Sequence, residues 1–107
     1  MNNNKGVELG MSTINAVHVN DKDSCVTVTA PATKGDTVVY HCTSGKTEQV
    51  TANGEIPIYH KVAIVPIAKG DFVYKYGGKI GIALEDIAVG DYVHIHNMKP
   101  VGFVEEA

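Results

Sequence analysis

A ten-residue unit that occurs twice constrains the fold of this chain more than any other feature of the sequence. IAKGDFVYKY at 67–76 returns twenty positions later as IAVGDYVHIH at 87–96. Each copy reads as a short apolar approach, a Gly-Asp turn and a strand, because glycine permits a positive φ and aspartate caps a turn. A shorter match, TKGDTV at 33–38, extends the series. The irregular spacing predicts a duplicated hairpin rather than a solenoid.

Elsewhere the chain shows the apolar–polar alternation of period two that is typical of half-buried strands, as in VTVT at 26–29. Only 83–88 has a pattern that could form a helical turn. The alternation predicts short strands at 14–19, 25–29, 36–42, 46–51, 62–65, 72–76, 79–84, 92–97 and 101–104. Many short strands with glycines at their ends indicate an all-β fold of small, strongly bent antiparallel sheets or a barrel.

The length and the charge narrow the class of protein. A chain of 107 residues allows one domain with a modest core, and we expect a flexible tail at 1–12 followed by the domain at 13–107. Nine Lys, no Arg and a formal charge of −3 do not give the clustered basic surface of a nucleic-acid-binding protein. No apolar run approaches the roughly 20 residues of a membrane span, and no signal peptide opens the chain.

The two cysteines bear on the cellular compartment of the protein. Cys25 and Cys42 lack the CxxC spacing of a redox or zinc site. Each lies in or beside a predicted strand, where a free cysteine usually behaves as a small apolar residue. With no export signal, this usage favours the cytoplasm.

The second copy of the repeat carries imidazoles where the first carries tyrosines. His94 and His96 are two positions apart, and on a strand such side chains leave the same face with Cα atoms roughly 6.5–7 Å apart. Two such rings can share a metal ion, or one can orient while the other moves a proton. Alternation would place Tyr92 on their face and turn Val93 and Ile95 toward the core. Two solvated histidines would give the same pattern.

The first copy ends in a lysine and a glycine-rich corner. Lys75 is predicted to share a face with the apolar Val73. Such a lysine either extends its ammonium group to solvent, the commoner outcome, or is buried with a depressed pKa suited to proton abstraction or carboxylate binding. The backbone amides around Tyr76 and Gly77 could approach an anion, although a tight hairpin has the same sequence.

Three further polar residues are candidates by position. His60 and Lys61 follow a bend at Pro57, and Asn97 ends the last repeat strand. A loop position favours function, but exposed polar residues and strand-ending turns are also common there. The chain contains no nucleophile elbow, P-loop or HExxH motif. It therefore does not predict a self-sufficient active site.

The segment 56–97 reads IPIYHKVAIVPIAKGDFVYKYGGKIGIALEDIAVGDYVHIHN and closely resembles the SAF domain at the front of altronate and galactarate dehydratases. It is also similar to the stand-alone small subunit of sulfolactate sulfo-lyase. The most specific parts of the match are K-Y-G at 75–77 and V-H-x-H-N at 93–97. One departure is Tyr59, where the pattern usually has glycine before His-Lys, and a bulky residue there could reshape the approach to His60.

The resemblance implies a β-clip fold and a much larger catalytic dehydratase subunit or domain that accompanies this module. Members of the family eliminate water or sulfite from small hydroxy acids, with a divalent metal, iron(II), as the implied cofactor. Because the chain ends soon after the last motif, we expect a small subunit or an N-terminal domain of a sugar-acid dehydratase. A homo-oligomer is also compatible with these features.

By the same resemblance, the candidate site lies at a surface shared with the large subunit. The expected catalytic residues are His94, His96, Lys75 and His60, with His94 and His96 also as metal ligands, and the expected substrate-binding residues are Lys61, Tyr76, Gly77 and Asn97. Two alternatives stay open. One is the small subunit of a sulfolactate sulfo-lyase, and the other is a non-catalytic SAF ligand-binding module, against which V-H-x-H-N argues.

Overall fold

The protein is described by a computed structural model that covers residues 14–105. The predicted tail at 1–12 lies outside the described residues. The strands are β1 (Ala16–Val17), β2 (Cys25–Val28), β3 (Thr37–His41), β4 (Thr47–Thr51), β5 (Lys61–Ala63), β6 (Phe72–Lys75), β7 (Gly78–Ala83), β8 (Tyr92–Val93) and β9 (Met98–Glu105). Residues 14–105 contain no helix, so 83–88 does not form a helical turn. The prediction of an all-β fold is confirmed. The described residues also contain no helix long and apolar enough to cross a membrane.

The strands form three small antiparallel sheets, in the orders β1-β2-β5-β8, β9-β7-β6 and β3-β4. The predicted strands at 14–19 and 25–29 contain β1 and β2, which pair with each other, and those at 36–42 and 46–51 contain the paired β3 and β4. Every named pairing is antiparallel, and β9–β7 and β7–β6 each contain a shift of register. These short, irregular sheets in a small domain are consistent with the SAF-like β-clip.

The repeated Gly-Asp element is one turn geometry used three times. In each copy glycine has a positive φ, at 92° for Gly35, 90° for Gly70 and 95° for Gly90. In each copy the N–H of the following aspartate donates to the carbonyl three residues before it, at 2.9–3.0 Å. Positive φ is the reason these positions are glycine.

A fourth turn of the same kind, 57–60, was not visible in the sequence repeat. His60 takes the aspartate position, and its N–H donates to the carbonyl of Pro57 at 3.0 Å. Tyr59 takes the glycine position, with a φ of 69°. The four turns meet in pairs through isolated bridges, at Ala32–Ile56 and at Ile67–Ile87.

The core is divided by the four-stranded sheet. Val26 and Val62 belong to one buried cluster, whereas Ala63 and Val93 belong to the other. Because side chains alternate along a strand, both faces of β2–β5–β8 are buried. Because both faces of these strands are buried, the register of β5 against β8 is fixed. The positions of the residues just before β5 and just after β8 are fixed with it.

The predicted strand at 92–97 is wrong beyond Val93. Residues 94–97 form a turn, in which the N–H of Asn97 donates to the carbonyl of His94 at 3.1 Å. Ile95, which alternation turned toward the core, has 64% of its surface exposed. Because the turn ends the period of two, the two histidines do not leave one face of a strand.

Candidate active site

The pairing of β5 with β8 brings two imidazoles together. Lys61 lies opposite Val93 in this ladder, so His60 and His94 extend it by one position on each strand. Their ring centroids are 4.9 Å apart. His94 is half-buried, and His96, in the turn beyond it, is exposed. We call His60, Tyr92, His94 and His96 the imidazole cluster.

Tyr92 is the centre of the imidazole cluster. Its hydroxyl lies 2.6 Å from Nδ1 of His60. Its ring stacks on that of His94, with centroids 5.6 Å apart and planes 7° apart, and it lies 5.3 Å from the ring of His96. Sequence analysis placed Tyr92 beside the histidines but did not include it in the site. The sequence did contain a signal for Tyr92, because the equivalent residue in the first copy of the repeat is Phe72, which has no hydroxyl.

Asn97 holds the turn that carries the two histidines. Its Oδ1 accepts a hydrogen bond from the N–H of His94 at 3.0 Å, and its Nδ2 donates to the carbonyl of Tyr92 at 2.8 Å. The residue is buried, with 3% of its surface exposed. Contact between Asn97 and a substrate stays a prediction. The observed contacts are all with the backbone that positions the cluster.

The cluster shifts the proton affinity of one of its own members. Burial lowers the pKa of His94 below its ordinary 6.5, and positive charge on His60, Lys61 and His96 lowers it further. A lowered pKa favours the neutral imidazole near pH 7. Neutral imidazole is the form that accepts a proton or binds a metal ion.

Of the two alternatives predicted for Lys75, the structure shows the buried lysine with a lowered pKa, and the commoner one, an ammonium group in solvent, is wrong. The residue is fully buried, with 0% of its surface exposed. Its Nζ lies 3.8 Å from Oδ2 of Asp23, and neither atom has a hydrogen-bond partner among the described residues. Burial lowers the pKa of Lys75 from its ordinary 10.5, while the charge of Asp23 opposes that change. Asp23 lies far away in sequence and carried no local signal.

The turn after Lys75 binds the carboxylate of Asp23, a residue of the same chain. Tyr76 and Gly77 have positive φ values of 62° and 76°, as the central residues of a type I′ hairpin turn do. The N–H of Gly77 donates to Oδ1 of Asp23 at 2.9 Å. The Tyr76 ring is exposed, and its centroid lies 4.3 Å from Nζ of Lys75. The N–H of Gly77, which was predicted to approach a substrate anion, is therefore already hydrogen-bonded to Asp23.

The sequence-predicted residues thus form two groups, with Lys61 between them. His60 is the last residue of its turn, and Lys61 directly after it is the first residue of β5. The charge of Lys61 nevertheless lowers the pKa of both His94 and Lys75, after the larger effect of burial on each. Lys61 is partly exposed. It is the cation best placed to act on both groups.

The pattern of one protein family, altronate/galactarate dehydratase SAF domain, matches residues 14–100. The chain belongs to this family. The resemblance found in the motifs at 56–97 is thereby confirmed over most of the chain.

The relatives of this SAF domain are lyases and dehydratases. It is 47% identical over 51 residues to (2R)-sulfolactate sulfo-lyase subunit alpha of Paracoccus pantotrophus, a match that covers 48% of this chain and 76% of that subunit. It is 48% identical over 52 residues to altronate dehydratase of Escherichia coli, covering 49% of this chain and 10% of that enzyme. The altronate dehydratase of Bacillus subtilis is 45% identical over 40 residues, which cover 37% of this chain and 8% of that enzyme.

The described part of this SAF domain does not supply a complete metal site. Residues 14–105 contain no group of three or more His, Cys, Asp or Glu side chains that could hold a metal ion. Structural and catalytic metal sites commonly take three or four protein ligands. His94 and His96 could therefore contribute to a metal site only together with ligands from outside residues 14–105.

The surface beside the cluster is open rather than enclosed. A depression of about 180 Å³ adjoins Tyr92, His96 and Asn97, with the acidic Glu85 and Asp91 on its border. Ligand-binding pockets usually measure about 300–1,000 Å³ and enclose most of the ligand. The depression is too shallow to enclose a sugar acid by itself.

Proposed function

We propose that this SAF domain is the small subunit or N-terminal domain of a cytoplasmic sugar-acid dehydratase of the altronate/galactarate type. In this proposal it completes the active site of a larger catalytic polypeptide and is not active alone. The observation that carries the proposal is the pair of His60 and His94 rings, 4.9 Å apart and open to the surface. The hydrogen bonds of the Asn97 side chain fix the backbone that carries His94. The surface beside the two rings is too shallow to enclose a substrate.

The chemistry of elimination fits this pair. Loss of water from a hydroxy acid requires a base that removes the proton beside the carboxylate and an acid that protonates the departing hydroxyl. The lowered pKa of His94 favours the neutral form that can act as the base. In its protonated form His60 can donate Nδ1–H to the Tyr92 hydroxyl oxygen and give its Nε2 proton to the leaving group, which returns the ring to the neutral form. His96 is a second exposed imidazole for either step.

The substrate carboxylate needs a cation, and the proposal assigns it to Lys61. The ammonium group of Lys75 is enclosed and faces Asp23. We therefore propose that Lys75 supports the site from the interior rather than contacts the acid. A divalent metal, when bound with ligands from the larger polypeptide, would stabilise the negative charge that develops beside the carboxylate.

A second candidate, the small subunit of a sulfolactate sulfo-lyase, is favoured by one observation. The match covers 76% of the Paracoccus subunit, against 10% of the Escherichia coli dehydratase. The same pair of imidazoles would serve, since sulfite then replaces hydroxide as the leaving group. A non-catalytic ligand-binding module would need neither a base nor an acid.

Reconstitution tests the proposal. The chain is co-produced with the large dehydratase polypeptide encoded beside it or continuous with it, and aldonates, aldarates and sulfolactate are assayed anaerobically with ferrous iron. His94→Ala combined with His96→Ala should lower turnover by roughly 100-fold or more. His41→Ala is the control, because His41 bonds Thr47 away from the cluster. Turnover of the double variant within about twofold of wild type would refute the catalytic role.

A further inference from the structure

Tyr59 occupies a backbone position at which its three sister turns have glycine. Gly35, Gly70 and Gly90 adopt φ values of 90–95° at this position, and Tyr59 has a φ of 69°. A residue with a bulky side chain is strained in this region, whereas glycine adopts it freely. The turn itself would therefore form more easily with glycine. The reason for a tyrosine must lie in its side chain.

No hydrogen bond or ring contact of the side chain within the described residues offsets this strain. The backbone N–H of Tyr59 donates to the carbonyl of Val28 at 2.8 Å, which a glycine would do equally well. The side chain has no hydrogen bond or ring contact with any of the described residues, and 71% of its surface is exposed. Strain of this kind persists at positions where the side chain serves a function.

Tyr59 is the residue next to the imidazole cluster in sequence. Tyr59 directly precedes His60, and Ile95 directly follows His94 in the facing turn. Ile58, next to Tyr59, has 41% of its surface exposed. Large exposed apolar side chains thus flank both imidazoles in sequence. Exposed apolar side chains grouped beside polar residues are expected where a second protein surface covers the site.

We propose that Tyr59 is an aromatic anchor that docks the large catalytic polypeptide over the imidazole cluster. This inference rests on the proposed function and adds the residue through which the two polypeptides associate. The occupant is a polypeptide because the matched region of the relatives is either a subunit, named alpha, or about a tenth of a longer enzyme. Tyrosine is among the residues that contribute most to binding at protein interfaces.

The strain is tested first on the chain alone, by thermal unfolding. Tyr59→Gly should raise Tm by roughly 3–6 °C, because relief of the left-handed strain exceeds the added flexibility of the unfolded chain. Gly70→Tyr is the matched control, since a Cβ atom there meets no atom within 4 Å while the φ of 90° is unfavourable to any side chain. It should lower Tm by a similar amount. If Tyr59→Gly lowered Tm, the side chain would be stabilised by its own chain and the inference would fail.

Docking is tested by titrating each variant into the large polypeptide and measuring Kd by calorimetry. Tyr59→Gly should weaken binding by about 10-fold or more, Tyr59→Phe by less than about threefold, and Gly70→Tyr should leave Kd unchanged. If wild type and Tyr59→Gly bind equally well, the inference is wrong although the proposed function stands. If the wild-type chain does not bind the large polypeptide at all, the proposed function fails with it.

Discussion

The hydroxyl of Tyr92 lies 2.6 Å from Nδ1 of His60, which connects two residues that are 32 positions apart in sequence. The contact depends on the antiparallel pairing of β5 with β8, and it fixes the orientation of an imidazole that follows a turn. The equivalent residue of the first repeat copy, Phe72, cannot make such a bond. The hydroxyl and the imidazoles of the second copy therefore belong to one arrangement.

Tyr92→Phe should lower the free energy of unfolding by about 0.5–1.5 kcal/mol, the usual contribution of one hydrogen bond. The stacked ring is retained, so the loss reports the hydroxyl alone. Urea unfolding measures the change, and long-range ¹H–¹⁵N NMR should show one dominant tautomer of His60 in the wild type and a mixture in the variant.

Tyr74→Phe is the control for this change, because the Tyr74 hydroxyl has no hydrogen bond among the described residues. Its unfolding free energy should stay within about 0.5 kcal/mol of wild type. An unaltered His60 tautomer in Tyr92→Phe would mean that the hydroxyl does not orient the ring.

Asn97→Asp should distort the turn at 94–97. The carboxylate can still accept from the N–H of His94, but it cannot donate to the carbonyl of Tyr92. A partly buried carbonyl without its donor, next to a negative charge, should lower the free energy of unfolding by about 2 kcal/mol, measured by urea unfolding. Asn20→Asp is a suitable comparison, since its Oδ1 only accepts from the N–H of Lys22 and that bond survives. Equal stability of the two variants would show that the Asn97 amide does not hold the turn.

The strands of this fold could be predicted because their signals are local. Alternation and the Gly-Asp turns mark most strand ends within a few residues, and the same turns recur in the structure. The predicted strand at 92–97 was wrong because the side chain of Asn97 hydrogen-bonds to the backbone of His94 and Tyr92, and such local bonds compete with the ladder of a sheet. The fourth turn was hidden because Tyr59 and His60 replace the glycine and aspartate of the motif.

The candidate site was predictable only in part, for a related reason. His94 and His96 form a motif within one segment, whereas the contact of His60 with His94 depends on a strand pairing that sequence alone does not specify. The burial of Lys75 depends on Asp23, which lies on a loop before β2 and has no pattern that links it to the lysine. Contacts between segments that are distant in sequence leave no periodic pattern or residue spacing from which they could be inferred.

The buried pair of Lys75 and Asp23 should behave as a unit. Lys75→Met alone leaves the Asp23 carboxylate buried without its opposite charge and should destabilise the fold by about 3 kcal/mol or more. Adding Asp23→Asn removes that charge and keeps an acceptor for the N–H of Gly77, so the double variant should return to within about 1 kcal/mol of wild type. A double-mutant cycle in urea measures the coupling. If the double variant were no more stable than Lys75→Met, the ion pair would not be the reason for the loss.

The lowered pKa of His94 should make the stability of the metal-free chain depend on pH. Below the ordinary pKa of 6.5 the unfolded chain binds a proton that the folded chain still excludes, so this contribution to stability is present above pH 6.5 and is lost as the pH falls toward the folded pKa. Lys61→Gln removes one of the charges that lower the pKa. We expect the pKa of His94 to rise in this variant and the loss of stability between pH 7.5 and pH 5 to become smaller.

NMR titration of the imidazole Cε1–H of His94 measures the first effect, and urea unfolding at the two pH values measures the second. Lys34→Gln is the matched control, because Lys34 lies in a sister turn, is exposed, and is not among the charges that act on His94. It should change neither quantity. Burial is the larger cause of the lowered pKa, so Lys61→Gln should restore only part of the ordinary value. An unchanged His94 pKa in Lys61→Gln would show that Lys61 does not act on the imidazole cluster, and the proposal that it serves both groups of the site would fall.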